Sequence, residues 1–341
     1  MKILNQQIFE NREAAALPGL MESGGLPALV SGLSGIHRVN LAAALYERLE
    51  LPLLIVCPDD SAAESFSRDL EAMTGEKVNT LYSRDFTFYS SLAASREAEQ
   101  KRLYVLNALR CGESPLTVAT VSALMQRTIP PQTLIKAAFT VKDGESCPPE
   151  ELERALVRCG YTRCEQVEGA GQFSRRGGIV DFFSPSYPEP VRIEFWGDDI
   201  DSMGFFDVKT QRRTESVEAC RILPAAESLA TLATGGTEAL TEALTAAADK
   251  CSRHKSSQQL RELEQTLRTD IERLRQNVKL EYADRYMPFM YEKASGADFI
   301  PEEAVVFIDQ PPRCADRARG FVKQLGEDVG ELVKRGILAT G

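Results

Sequence analysis

The chain has 341 residues, a formal net charge of −10 at pH 7 and a hydrophobic fraction of 43%. The length predicts two or three domains rather than one, and the hydrophobic fraction is sufficient for packed cores, which excludes a wholly disordered chain. The acidic balance argues against a free-standing nucleic-acid-binding protein, because binding to phosphates relies on clustered Lys and Arg side chains.

Membrane insertion, secretion and metal binding are not expected. The sequence has no run of about eighteen apolar residues, and its N-terminal segment lacks the apolar centre of a signal peptide, so a cytoplasmic protein is predicted. Only two histidines, His37 and His254, are available as ligands, and no two cysteines have CxxC spacing, so we expect neither a metal nor a cofactor. The cysteines are predicted to be reduced thiols, several of them buried, at positions Cys57, Cys111, Cys147, Cys159, Cys164, Cys220, Cys251 and Cys314.

Residues 20–125 alternate between strand-like and helix-like stretches. Short apolar runs predict strands at 26–30, 51–57, 78–82 and 116–121. Between them, apolar residues at helical spacing predict helices over 39–49, from a capping box at 61–64 onward, and over about 95–109. This alternation predicts a parallel sheet with helices on both faces.

The junction between the first predicted strand and helix, GLSGIHRV (32–39), has the position of a phosphate-binding loop, G-x-x-x-x-G-K-[ST]. In such a loop the second glycine lets the backbone close around phosphates, the lysine reaches them, and the hydroxyl binds magnesium. Gly32 and Gly35 are present, but His37 replaces the second glycine, Arg38 the lysine and Val39 the hydroxyl residue. We therefore expect a non-functional nucleotide loop, equivalent to an ordinary strand-to-helix turn.

The stretch YSRDFTFY (82–89) is rich in aromatic residues, and interleaved aromatic side chains can stack on nucleic-acid bases. Arg84 is the only cation within it. The alternative is that these aromatic side chains pack at the edge of a sheet.

The character of the sequence changes near residue 138. Short strand-like runs with dense turn signals predict a small α+β domain over 139–224, and Leu and Ala at helical spacing predict a helical subdomain over 225–300. The first α/β domain is then predicted to comprise 1–138 and 301–341.

A buried strand, VVFID (305–309), is predicted to return to the sheet of the first domain, followed by an amphipathic helix near 314–328. The strand ends in Asp309 and Gln310, where a motor ATPase would carry Asp-Glu. A glutamine cannot act as a general base, so this acidic motif is also degenerate.

The most specific segment is GQFSRRGGIVDFFSPSYPEPVRIEFWGDDIDSMGFFDVKTQ (171–211). It follows the patterns G-x-F-x-x-R-G-G-I-x-D-x-F, R-I-E-F-F-G-D-x-I-[DE]-S and F-D-x-x-[ST]-Q-R in that order. The matching residues are Phe173, Arg176, Gly177, Gly178, Ile179, Asp181, Phe183, Arg192, Ile193, Glu194, Phe195, Gly197, Asp198, Ile200, Asp201, Ser202, Phe206, Asp207, Thr210, Gln211 and Arg212. The segment resembles the second domain shared by UvrB and the bacterial transcription-repair coupling factor Mfd.

The degenerate loop at 32–39 makes the chain more similar to Mfd than to UvrB, which keeps an intact phosphate loop and an aromatic hairpin for damaged DNA. The resemblance covers most of the chain, strongly at 171–212 and weakly over 225–300. It implies an α/β fold: a degenerate P-loop, RecA-like parallel-sheet domain (1a) with an inserted small α+β domain (2) and a helical subdomain (1b).

The resemblance implies an adaptor module without catalytic residues, which recruits UvrA to stalled RNA polymerase in transcription-coupled nucleotide excision repair. Longer family members continue into an RNA-polymerase-binding domain, an ATP-dependent DNA translocase motor and a C-terminal regulatory domain. RNA polymerase, DNA and that regulatory domain are therefore expected partners of a whole protein, while this part is not expected to bind DNA appreciably. The alternative is a fragment of a UvrB-type DNA-damage-recognition helicase with residual ATP and DNA binding. A regulatory role is also open, in which the C-terminal domain masks the UvrA surface.

The strand VRIEFW (191–196) alternates between an apolar face and a face with Arg192, Glu194 and Trp196. An arginine beside a large aromatic is typical of a protein interface, although Arg192 could instead pair with Glu194 or another carboxylate and Trp196 pack under a loop. In the resembling family, the positions of Arg176, Arg192 and Trp196 contact UvrA, with Phe usual at the last. Arg175 leaves open which of the two adjacent arginines reaches the partner.

Overall fold

The computed structural model describes residues 7–86, 88, 96–253 and 257–339. The α-helices are α1 (Arg12–Glu22), α2 (Gly35–Leu49), α3 (Asp60–Thr74), α4 (Arg96–Arg110), α5 (Val121–Met125), α6 (Pro131–Ala137), α7 (Pro149–Arg158), α8 (Gly236–Ser252), α9 (Gln258–Arg275), α10 (Met287–Met290) and α11 (Pro311–Lys334). The strands are β1 (Leu53–Cys57), β2 (Asn79–Leu81), β3 (Leu116–Thr120), β4 (Phe139–Lys142), β5 (Thr162–Arg163), β6 (Gln172–Arg176), β7 (Ile179–Phe182), β8 (Val191–Trp196), β9 (Asp199–Phe206), β10 (Arg213–Ser216), β11 (Ala219–Ile222) and β12 (Val305–Ile308). Short 3-10 helices lie at Ile8–Glu10, Ala230–Leu232, Ala283–Tyr286 and Gly296–Phe299.

Two compact units are formed, and the first contains a parallel sheet. Unit 1 comprises, among the described residues, 7–83, 108–126 and 299–323. Its strands lie in the order β12-β1-β3-β2, and all adjacent pairs are parallel. All side chains of β1 and β3 are buried, as expected for strands covered on both faces. The predicted parallel sheet is confirmed, and the predicted return of 305–309 to it corresponds to the pairing of β12 with β1.

Two predictions about unit 1 are wrong in detail. Residues 26–30 form no strand; their apolar side chains are largely exposed, Leu29 to 84%, and Pro27 cannot donate to a ladder. The loop at 32–39 therefore follows an irregular segment rather than a strand. Helix α3 is capped by Asp59, whose side chain accepts from Ala62 N at 3.0 Å, and not by the capping box predicted at 61–64.

Unit 2 comprises, among the described residues, 84–107, 127–298 and 324–339. It contains a sheet with the strand order β10-β9-β8-β7-β6-β5, in which only the β5–β6 pair is parallel, and a two-stranded antiparallel sheet of β4 and β11. One face of the larger sheet forms a core with α7, whose buried residues Leu152 and Leu156 pack with Val180, Phe182 and Ile193. The predicted α+β character of this region is confirmed.

Unit 2 also contains the helices predicted after residue 225. Helices α8 and α9 pack against each other, and their buried leucines recur at helical spacing, for example Leu240 and Leu244 in α8 and Leu263 and Leu267 in α9. His254, between them, lies outside the described residues.

Candidate functional site

The pairing register of unit 2 separates the residues of the larger sheet onto two faces. Val180, Ile193 and Met203 lie side by side on β7, β8 and β9 and are buried on the face that packs with α7. Asp181 and Arg192 are paired on the opposite face. Because side chains alternate along each strand, the predicted partner-binding residues share the face that does not pack with α7.

The two adjacent arginines of β6 have different environments. Arg175 donates from Nη1 to Glu153 and from Nη2 to Glu150, each at 2.7 Å, and both glutamates belong to α7. Arg176 points to the opposite face and donates from Nη2 to Asp181 Oδ2 at 2.8 Å. Of these two arginines, only Arg176 therefore shares a face with Arg192.

Arg192 forms a bidentate ion pair with a buried carboxylate. Its Nε donates to Asp181 Oδ1 at 2.7 Å and its Nη2 to Oδ2 at 2.9 Å, while Nη1 donates to the Gln211 carbonyl at 3.2 Å. The guanidinium lies 4.7 Å from the centre of the Phe206 ring. Hydrogen bonding to Asp181 raises the pKa of Arg192 above its ordinary value. The side chains of Arg192 and Asp181 are 16% and 1% exposed.

This geometry changes the expectation for Arg192. The possibility that it pairs with a carboxylate is realised, and the carboxylate is Asp181. Truncation of Arg192 would remove a counter-ion from a buried charge, which costs stability as well as any contact with a partner.

Trp196 is the last residue of β8, and 83% of its surface is exposed, so it does not pack under a loop. Its cross-strand neighbour is Asp199. Phe195, predicted on the core face, is only partly buried and packs against the margin of the core. The strand thus presents a large aromatic side chain to solvent at one end while its other end is anchored in the core.

The degenerate nucleotide loop lies in unit 1, where Arg38 takes the position of the lysine. Arg38 Nη1 donates to Asp309 Oδ1 at 2.7 Å, so the two degenerate motifs are joined by an ion pair. Val39 is buried in the core, and its side chain has no oxygen with which to bind a metal. Gly32 and Gly35 have positive φ, and His37 is exposed.

A cavity of about 340 Å³ beside this ion pair is lined by Arg38, Asp59, Asp309, Gln310 and Arg313 among others. Gln310 Nε2 donates to Asp309 Oδ2 at 3.1 Å, and Arg313 donates to Gln310 Oε1 at 2.8 Å and to Asp59 Oδ2 at 3.0 Å. Asp309, the carboxylate that would face magnesium, is bonded to Arg38, the side chain that would face phosphate. These residues do not fit magnesium-ATP.

The aromatic stretch at 82–89 does not present its cation to solvent. Arg84 is buried in unit 2, donating from Nε to Glu227 Oε1 at 2.8 Å and from Nη1 to Asp284 Oδ2 at 2.8 Å. The rings of Phe86 and Phe88 stack with centroids 5.4 Å apart; residues 87 and 89 lie outside the described residues. A base-stacking site that relies on Arg84 is therefore not supported.

The described residues contain no cluster of three His, Cys, Asp or Glu side chains suited to a metal ion. All eight cysteines lie within the described residues and none forms a disulfide, and Cys57, Cys159, Cys220 and Cys314 are buried. Burial raises the pKa of Cys57 and Cys220 to about 12, so both are protonated thiols at neutral pH. None of the described helices combines the length and apolar character that crossing a bilayer requires.

Comparison with known proteins identifies relatives. Residues 139–227 match the UvrB interaction domain family. The transcription-repair-coupling factor of Bacillus subtilis is 29% identical over 332 residues, or 96% of this chain and 28% of the relative. Those of Myxococcus xanthus and Escherichia coli are each 30% identical, over 82% and 60% of this chain and 24% and 18% of the relatives. The chain is therefore a homologue of the transcription-repair-coupling factors (Mfd) over most of its own length and about a quarter of theirs, and it contains a UvrB interaction domain.

Proposed function

We propose that the chain is an adaptor that binds UvrA through the interaction domain and recruits it to stalled RNA polymerase for nucleotide excision repair. The observation that carries this proposal is Trp196, 83% exposed at the end of β8, on the sheet face that also holds Arg176. A solvent-exposed tryptophan near an arginine has the composition of an interface hot spot. The domain predicted at 139–224 then binds the partner, and the first α/β domain serves as its platform.

Arg176 and Trp196 are proposed to touch the partner directly, whereas Arg192 supports the surface from below. The Arg176 side chain is 52% exposed, so about half of its surface remains accessible to a partner. Arg176 and Trp196 are thus the exposed residues of the three, and Arg192 is largely covered. The measurement of binding should accordingly use Arg176 and Trp196.

We expect Trp196→Ala and Arg176→Ala each to weaken UvrA binding about ten- to a hundredfold in titration calorimetry, since each removes a contact formed in the complex. The matched control is Arg175→Ala, which removes the neighbouring arginine on the helix-packed face and should retain nearly full affinity. Full affinity of a folded Arg176→Ala/Trp196→Ala double variant would reject this surface.

We further propose that the fragment neither binds nor hydrolyses ATP. The Arg38–Asp309 ion pair and the buried Val39 support this, because they remove the ligands that magnesium-ATP needs. Calorimetry with magnesium-ATP is expected to remain flat to millimolar concentration. A saturable, magnesium-dependent signal would instead favour the competing function, a UvrB-type helicase fragment with residual ATP and DNA binding.

A further inference from the structure

Asp181 lies at the centre of the proposed partner-binding face. Along β7 it faces Arg192 on β8, and it lies diagonally across from Arg176 on β6. Both arginines bond to its carboxylate. We infer that Asp181 is the positioning residue of this face, holding the Arg176 guanidinium in the orientation in which it donates to a hydrogen-bond acceptor of UvrA. The inference rests on the proposed function and deepens it.

The bonds to Asp181 account for both of its carboxylate oxygens. Oδ1 accepts from Arg192 Nε at 2.7 Å, and Oδ2 accepts from Arg192 Nη2 at 2.9 Å and from Arg176 Nη2 at 2.8 Å. A carboxylate that is 1% exposed requires such charged partners, because an unpaired buried charge is costly. Arg192, itself 16% exposed, supplies most of this compensation.

Arg176 donates to Asp181 from Nη2 and has further N–H donors besides. One Nη2 bond to Asp181 restricts a long side chain that would otherwise sample many rotamers. The guanidinium has five N–H donors and no acceptor, so the partner must supply a hydrogen-bond acceptor. Restricting the side chain before binding lowers the entropy lost in the complex, which is the physical benefit of preorganisation.

Asp181 and Arg176 are expected to have coupled effects on UvrA binding. Asp181→Asn preserves the size of the side chain but removes its charge, and we expect it to weaken UvrA binding by the full chain about tenfold. In an Arg176→Ala background the same substitution should cause less than about a twofold change, because Asp181 acts through Arg176. In a Trp196→Ala background the tenfold loss should persist, because that contact is separate.

A matched control variant and measured melting temperatures distinguish an effect on UvrA binding from an effect on folding. Glu153→Gln breaks the Arg175 pair on the helix-packed face, so it should lower the melting temperature without changing the affinity of the folded protein. Calorimetric stoichiometry near one, well below the melting temperature, establishes that the Asp181→Asn variant is folded. If that variant does not fold, Arg176→Lys replaces it; lysine retains the charge without the planar fork, and we expect an affinity near that of Arg176→Ala.

The possible results separate the two proposals. Absence of UvrA binding by the unaltered chain would overturn the proposed function together with this inference. Binding by the unaltered chain, with equal losses from Asp181→Asn in both backgrounds or with no loss at all, would overturn the inference alone. Wild-type affinity of Arg176→Lys would likewise overturn it.

Discussion

Replacement of Arg84 by methionine is expected to destabilise unit 2 by about 3–5 kcal/mol, because it removes a charged partner from the buried carboxylates of Glu227 and Asp284, although Arg102 remains beside Glu227. Arg84 is buried and bonded to Glu227 and Asp284, and Glu99 lies 3.6 Å from its Nη2. Although burial alone would lower it, the attraction of Glu227, then of Glu99 and Asp284, raises the pKa of Arg84 well above its ordinary value. The guanidinium therefore stays charged in the interior.

The measurement is urea unfolding followed by circular dichroism. Arg268→Met is the matched control, because Arg268 also pairs with two carboxylates, Asp249 and Glu264, but at the surface. Because solvent and salt screen exposed ion pairs, this control should scarcely change the unfolding midpoint. A similarly small change for Arg84→Met would show that the carboxylates are compensated by other groups.

The second large effect is expected at the core of the interaction domain. Phe182 is fully buried in the core formed with α7, so Phe182→Ala should lower the free energy of unfolding by about 3–5 kcal/mol. Phe195, the aromatic neighbour of Trp196, is only partly buried, so Phe195→Ala should cost clearly less than Phe182→Ala. Thermal melts of the two variants test this order. A larger loss for Phe195→Ala would mean that the end of β8 is packed more tightly than its exposure indicates.

Elements whose signals are local were predicted well. The apolar runs at 51–57 and 116–121 correspond to β1 and β3, because a strand covered on both faces is apolar at every position. The run at 26–30 is similarly apolar, yet it forms no strand. Apolar composition does not reveal whether a neighbouring strand is available to pair with it.

The candidate site was predicted less completely. Alternation correctly placed Arg192 and Trp196 away from the core face, since a strand has a period of two. It could not identify the partner of Arg192, because Asp181 belongs to another strand and the pairing register decides which residue lies opposite. The same register, together with α7, distinguishes Arg175 from Arg176.

Arg84 illustrates a second limit of sequence analysis. Its bonding partners Glu227 and Asp284 are 143 and 200 residues away along the chain. Within its own neighbourhood, a cation among aromatic residues has the pattern of a nucleic-acid contact. Only the tertiary fold shows that this cation is neutralised by carboxylates in the interior.

The pairing of β12 with β1 has a consequence for biosynthesis. In a chain emerging from the ribosome, β1 appears early, while β12 follows the whole interaction domain and the helices after it. The antiparallel sheet, whose strands are close in sequence, can close first, since local contacts form faster than distant ones. Until β12 arrives, one edge of the apolar strand β1 is unpaired and open to association with other chains. We therefore expect the interaction domain of a nascent chain to fold before the parallel sheet of unit 1 is complete.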